Sequence, residues 1–121
     1  MFCGASKFNQ PLNAWTTSMV MDMSYMFNDA VSFNQPLENW NMENVANLQS
    51  MFKNATCFNQ PLNEWKLGNA NNLSETFAYA SQFNQNLSDW QFADDAMTFD
   101  IFNGAGCDMY EYRIIKDYEE T

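Results

Sequence analysis

The stretch MFNDAVSFNQPLENW, residues 26–40, has close copies at residues 1–15, 51–65 and 76–90. The step is 25 residues and does not slip. Met1-Phe2, Met26-Phe27, Met51-Phe52, Thr76-Phe77 and Ile101-Phe102 share one phase, and Ala5, Ala30, Ala55, Ala80 and Ala105 share another. The triplet Phe-Asn-Gln begins at Phe8, Phe33, Phe58 and Phe83. Leucine follows at Leu12, Leu37, Leu62 and Leu87, and all four tryptophans stand at Trp15, Trp40, Trp65 and Trp90. Nine of the eleven phenylalanines occupy only two phases, a concentration that chance does not produce. Self-similarity at a fixed period of this size is the signature of a repeat architecture. One such unit cannot bury its own apolar face, so the units must stack.

Each unit divides into two physical halves. In the first, Val20, Met23, Met26, Phe27 and Ala30 lie three or four residues apart, as do Val45, Leu48, Met51, Phe52 and Ala55. That spacing predicts a short amphipathic helix. Ser18, Asn44, Asn69 and Asp94 stand just before these stripes and read as N-caps, each with an oxygen able to accept a first-turn N–H. The second half, Phe-Asn-Gln-Pro-Leu-x-x-Trp, excludes helix at Pro11, Pro36 and Pro61, and proline biases the residue before it to an extended shape. It predicts a short strand or extended turn, with a bend between the leucine and the tryptophan, because three residues is not period-two alternation.

The fold class expected is therefore a repeat solenoid, leucine-rich-repeat-like, with one short helix and one short strand or extended turn per 25 residues. Residues 1–106 hold four full repeats and the start of a fifth. Residues 107–121 form a C-terminal cap or docking strand, with Tyr110, Tyr112 and Ile114 alternating, followed by an acidic tail. The expected core is the columns Phe8, Phe33, Phe58 and Phe83; Leu12, Leu37, Leu62 and Leu87; and Trp15, Trp40, Trp65 and Trp90. Strand spacing sets their pitch at roughly 5 Å. The asparagines Asn9, Asn34, Asn59 and Asn84 read as a polar ladder whose amides satisfy backbone groups of the adjacent turn.

The motif M-F-x-x-A-x-x-F-N-Q-P-L-x-x-W resembles the 25-residue repeat of the BspA-like leucine-rich-repeat surface proteins, a repeat also catalogued in Mycoplasma lipoproteins as a domain of unknown function. The match covers residues 1 to about 106. The resemblance implies a non-catalytic solenoid, often surface-displayed and adhesive, and brings no catalytic residues with it. The departures come late: Thr76 stands for methionine, Asn86 for proline, and Asp108 where phenylalanine is due.

Composition narrows the function. The chain has 121 residues, enough for one core, with 15 acidic and 5 basic side chains, a net charge of −10. Nucleic-acid binding needs a basic face and is excluded. The absence of histidine removes the commonest general base and zinc ligand. No C-x-x-C or EF-hand spacing is present, so no metal or cofactor is expected. No candidate set supplies nucleophile, base and orienter together, so the chain is read as no enzyme. The longest apolar runs are a few residues, too short to insert in a membrane. No leader is recognisable, and Met1-Phe2 falls mid-repeat, so the chain reads as a fragment of a longer array or as one whose end a partner covers. Cys57 and Cys107 lie two turns apart, beyond disulfide reach, and Cys3 is further still. Three free thiols point away from an oxidising compartment, against the cell-surface location that the resemblance suggests.

The candidate site is an exposed strip. After each leucine come Asn13-Ala14, Glu38-Asn39, Asn63-Glu64 and Ser88-Asp89, and stacking sets these in one row. The site residues are Asn13, Glu38, Asn39, Asn63, Glu64, Ser88 and Asp89. The expected function is a binding or adhesion module offering this strip to a protein, preferably one with a basic surface, or to a glycan. The alternative is a structural subunit that contacts flanking repeats or neighbouring subunits through its open ends.

Overall fold

The computed structural model describes residues 1–106. Cys107 and the docking strand expected at Tyr110–Ile115 lie outside the described residues.

Successive 25-residue units lie side by side in parallel. Isolated bridges run Asp22 to Asn47, Asn47 to Asn72 and Asn72 to Met97, all parallel. Around them the N–H groups of Met23, Tyr25, Phe27 and Asp29 donate to the carbonyls of Asn47, Gln49, Met51 and Lys53 at 2.8–2.9 Å. The next pair of units repeats the pattern: Leu48, Ser50, Phe52 and Asn54 donate to Asn72, Ser74, Thr76 and Ala78.

This cross-unit bonding overturns the expected helix. No helix forms among the described residues. A helix needs each N–H to reach back four residues, but every second N–H here is spent on the next unit. The N–H groups between them reach back only three residues: Met26 to Met23, Asn28 to Tyr25 and Ala30 to Phe27. Each segment is a chain of β-turns. In the first and last turn of each segment the third residue takes a positive φ, as type II turns require: Tyr25 (59°) and Asp29 (65°), Ser50 (55°) and Asn54 (61°), Glu75 (59°) and Tyr79 (60°). Gly4 (76°) and Gly104 (75°) occupy the Asp29 phase. Left-handed residues at these points cannot propagate a right-handed helix.

The same turn explains the second half of the unit. Trp15, Trp40, Trp65 and Trp90 donate their backbone N–H to Leu12, Leu37, Leu62 and Leu87 at 3.0–3.1 Å. First and fourth turn residues point inward, and the two between point out. No continuous strand forms over Phe-Asn-Gln-Pro-Leu. A side-chain ladder replaces it: Asn9 Oδ1 accepts the Asn34 N–H, Asn34 Oδ1 the Asn59 N–H, and Asn59 Oδ1 the Asn84 N–H, each at 2.9 Å. The amides of Gln35, Gln60 and Gln85 close on the same oxygens.

The expected N-caps are also replaced. Asn44 and Asn69 donate their amides to the carbonyls of Ser18 and Glu43, both at 2.7 Å, and so bridge units. In their place Asp22, Asn47 and Asn72 accept a local N–H, from Ser24, Gln49 and Ser74. These are Asx-turns.

The core is a lattice of aromatic rings. Phe2, Phe27, Phe52, Phe77 and Phe102 stack at 5.5–5.7 Å, and Phe8, Phe33, Phe58 and Phe83 at 5.8–6.0 Å. Within a unit the two columns touch at 4.1–4.3 Å. Phe33, Phe58, Phe83, Leu12, Leu37, Leu62, Leu87, Trp40, Trp65 and Trp90 are buried. Trp15, expected in the core, is instead 42 % exposed, because no unit lies over its outer face in the structure. Phe8 is half-buried for the same reason. Thr76, where the repeat has methionine, is fully buried, and its hydroxyl lies 3.1 Å from the Leu48 carbonyl and 2.7 Å from the Leu73 carbonyl.

Candidate functional site

The seven strip residues occupy the outward corners of the Leu-x-x-Trp turns. Glu38, Asn39, Glu64 and Asp89 are exposed, while Asn13, Asn63 and Ser88 are half-buried. Two pairs are brought together across units. Asn13 Oδ1 accepts the Asn39 N–H at 2.9 Å, and Asn63 Nδ2 donates to Asp89 Oδ2 at 2.9 Å. Ser88 is held differently: its N–H donates to Asn86 Oδ1 at 2.8 Å, so the asparagine that replaces proline in this unit forms an Asx-turn.

The strip is not uniform along its length. Between the third and fourth units it opens into a cleft of about 440 Å³, lined by Asn63, Glu64, Trp65, Lys66, Leu67, Gly68, Asp89 and Gln91. Gly68 takes the phase held elsewhere by Ser18, Glu43 and Ala93, and a Cβ added to it meets nothing within 4 Å. Asn63 Oδ1 is enclosed at the edge of this opening and has no hydrogen-bond partner. Lys66, Gly68 and Gln91 were not singled out in the sequence. The only signal was a glycine in a column of residues that otherwise carry side chains.

Charge elsewhere on the surface is organised by single contacts. Lys53 Nζ bonds Glu75 Oε2 at 2.9 Å, and that hydrogen bond holds the lysine above its usual range. The side-chain and backbone hydrogen bonds from Ser24 hold the Asp22 carboxyl below its usual range. Among the described residues no group of three or more His, Cys, Asp or Glu side chains comes together as a metal site. No described helix is long and apolar enough to cross a membrane. Cys3 and Cys57 are free thiols.

A second opening lies on the outer face of the first unit. It measures about 330 Å³ and is lined by Met1, Trp15, Val20, Met23 and Met26 among others. Beside it Met19 is 85 % and Met21 67 % exposed.

Comparison with known proteins adds one assignment. A family model described as "Mycoplasma protein of unknown function, DUF285" matches residues 1–108. No curated protein and no solved structure matches.

Proposed function

The chain belongs to DUF285, a family of Mycoplasma proteins of unknown function, and from that premise we propose that it is a non-catalytic binding module. In this reading it is a leucine-rich-repeat-like solenoid of the BspA type, displaying its turn corners to a protein with a basic surface or to a glycan. The observation that supports it most is the exposure of Glu38, Asn39, Glu64 and Asp89 at the same corner of successive units. A parallel stack converts one such corner into an extended surface. The net charge of −10 adds attraction toward basic groups.

Charge reversal tests it. The triple variant Glu38→Lys, Glu64→Lys, Asp89→Lys is compared with the parent on immobilised glycans and on an immobilised lysine-rich peptide. The parent is expected to be retained by at least one, and the variant to bind at least about tenfold more weakly with an unchanged near-ultraviolet circular dichroism spectrum. Equal retention of the two proteins overturns the strip as the interface.

A second reading, a structural subunit, draws on the apolar face of the first unit. Met19, Met21 and Trp15 are all large apolar side chains exposed on this unit, and exposed apolar patches mark interaction sites. Light scattering on the isolated chain is then expected to show oligomers. A clean monomer at about 100 μM, a concentration at which micromolar association would be evident, counts against it.

A further inference from the structure

We propose that the cleft beside Gly68 is a subsite for a neutral polyhydroxylated ligand, a single sugar residue of hexose size. The proposal deepens the binding reading of the strip and rests on it.

Three observations converge. The first is room. At the Gly68 phase other units carry Ser18, Glu43 or Ala93, and only here is there no side chain. The backbone does not demand a glycine, since a Cβ would meet nothing within 4 Å. The glycine lines an opening of about 440 Å³, within the usual range for small-ligand sites, roughly 300–1,000 Å³.

The second is an unmet acceptor. Asn63 Oδ1 is shut away from solvent and accepts nothing. Its amide nitrogen is already committed to Asp89 Oδ2 at 2.9 Å. In the first unit the equivalent oxygen, on Asn13, takes the N–H of Asn39. An enclosed acceptor without a donor is costly, and a turn of the Asn63 carboxamide toward the cleft that this residue lines would let a ligand hydroxyl supply one.

The third is the sign of the charge. Glu64 and Asp89 line the cleft, and so does Lys66. A cation meets the ammonium, an anion meets two carboxylates, and either is partly repelled. A neutral polyol meets no repulsion. Its hydroxyls donate to the carboxylates and to Asn63 Oδ1, and accept from Lys66 and Gln91.

The experiment is a titration of the full chain with methyl glycosides of common hexoses and N-acetylhexosamines, followed by nuclear magnetic resonance at the Asn63 side-chain amide. N-acetyl-lysine amide and inorganic phosphate serve as the charged probes. At least one neutral sugar is expected to shift the Asn63 signal saturably, with a dissociation constant of about 1–10 mM. Gly68→Glu places a carboxylate where the second unit already holds Glu43, so the fold accommodates it. This variant is expected to weaken sugar binding at least about tenfold with no change in the thermal midpoint. Lys7→Glu, at an exposed position outside both the strip and the cleft, is expected to leave it unchanged. The proposal is overturned if no sugar shifts Asn63 at about 50 mM, if Gly68→Glu binds like the parent, or if a charged probe binds in the sugar's place. Loss of a partner in the triple charge reversal with no sugar binding leaves the strip standing and removes the sugar. Sugar binding lost in Gly68→Glu, with the triple reversal retaining its partner, does the opposite.

Discussion

The first unit and the interior units share a sequence pattern but not a physical situation. In the interior, the indole N–H of Trp40 donates to the Leu12 carbonyl, that of Trp65 to Leu37 and that of Trp90 to Leu62, at 2.8–2.9 Å. Each of these rings is at most 4 % exposed. Trp15 is chemically the same residue in the same phase, yet it is 42 % exposed. The difference points to the interface between neighbours, rather than the single unit, as the place where a stacked architecture draws its stability. A residue with two neighbours contributes through two interfaces, a residue at the face through one.

The phenylalanine column is where that contrast is strongest. Phe52 packs against Phe27 and Phe77 at 5.5 Å on either side and against Phe58 at 4.2 Å within its unit. Phe2 has Phe27 on one side and is half-buried. Phe52→Ala is expected to cost about 3–5 kcal/mol, as for a fully buried aromatic whose cavity does not collapse. Phe2→Ala is expected to cost about 1–2 kcal/mol, since part of the ring already faces water. Urea unfolding of the two variants measures the difference. If Phe52→Ala does not fold, Phe52→Leu serves instead, with an expected cost of about 1–2 kcal/mol against less than 1 for Phe2→Leu. Equal costs at the two positions would mean that stacking between units contributes little.

Much of this arrangement was legible in the residues. Phe27 stacks on Phe52, and Asn34 bonds Asn59, because a strict 25-residue recurrence puts like over like in any parallel stack. The helix was misread for a specific reason. Apolar residues three apart, such as Leu48, Met51 and Phe52 with Ala55, satisfy both a helical stripe and a string of β-turns whose first and fourth residues face inward. The discriminating signal was the column Gly4, Asp29, Asn54 and Gly104, all residues that tolerate a positive φ. Tyr79 in the same column obscured it. The Asx-turn column Asp22, Asn47 and Asn72 was visible too, but it competed with Ser18, Asn44 and Asn69 for the role of cap. The seven strip residues could be chosen by phase alone. The cleft could not, because it lies beside the one position of its column without a side chain, Gly68, and beside an Asn63 oxygen left without a partner, and neither is a periodic property.

The smallest effect sharpens the same contrast by pH. Asp22, Asn47 and Asn72 hold the same Asx-turn in three successive units, but only the first is ionisable. The hydroxyl and N–H of Ser24 favour the carboxylate, so the Asp22 carboxyl titrates below its ordinary value of 3.8. A carboxyl whose folded value is depressed contributes stability above its unfolded value and loses it as pH falls through the folded one. The Asp22 turn is therefore expected to loosen below pH 3.8 while the turns at Asn47 and Asn72 keep their geometry. Followed by nuclear magnetic resonance, the Ser24 amide signal should move with a midpoint under 3.8, and those of Gln49 and Ser74 should not follow it. Asp22→Asn should flatten the Ser24 titration and make the first unit behave like the second. A Ser24 midpoint at or above 3.8, or matching titrations at all three amides, would show that the edge and the interior are not distinguished by this carboxylate. Acid is thus expected to act on the turn at Asp22 and to spare those at Asn47 and Asn72, where neutral amides do what one carboxylate does here.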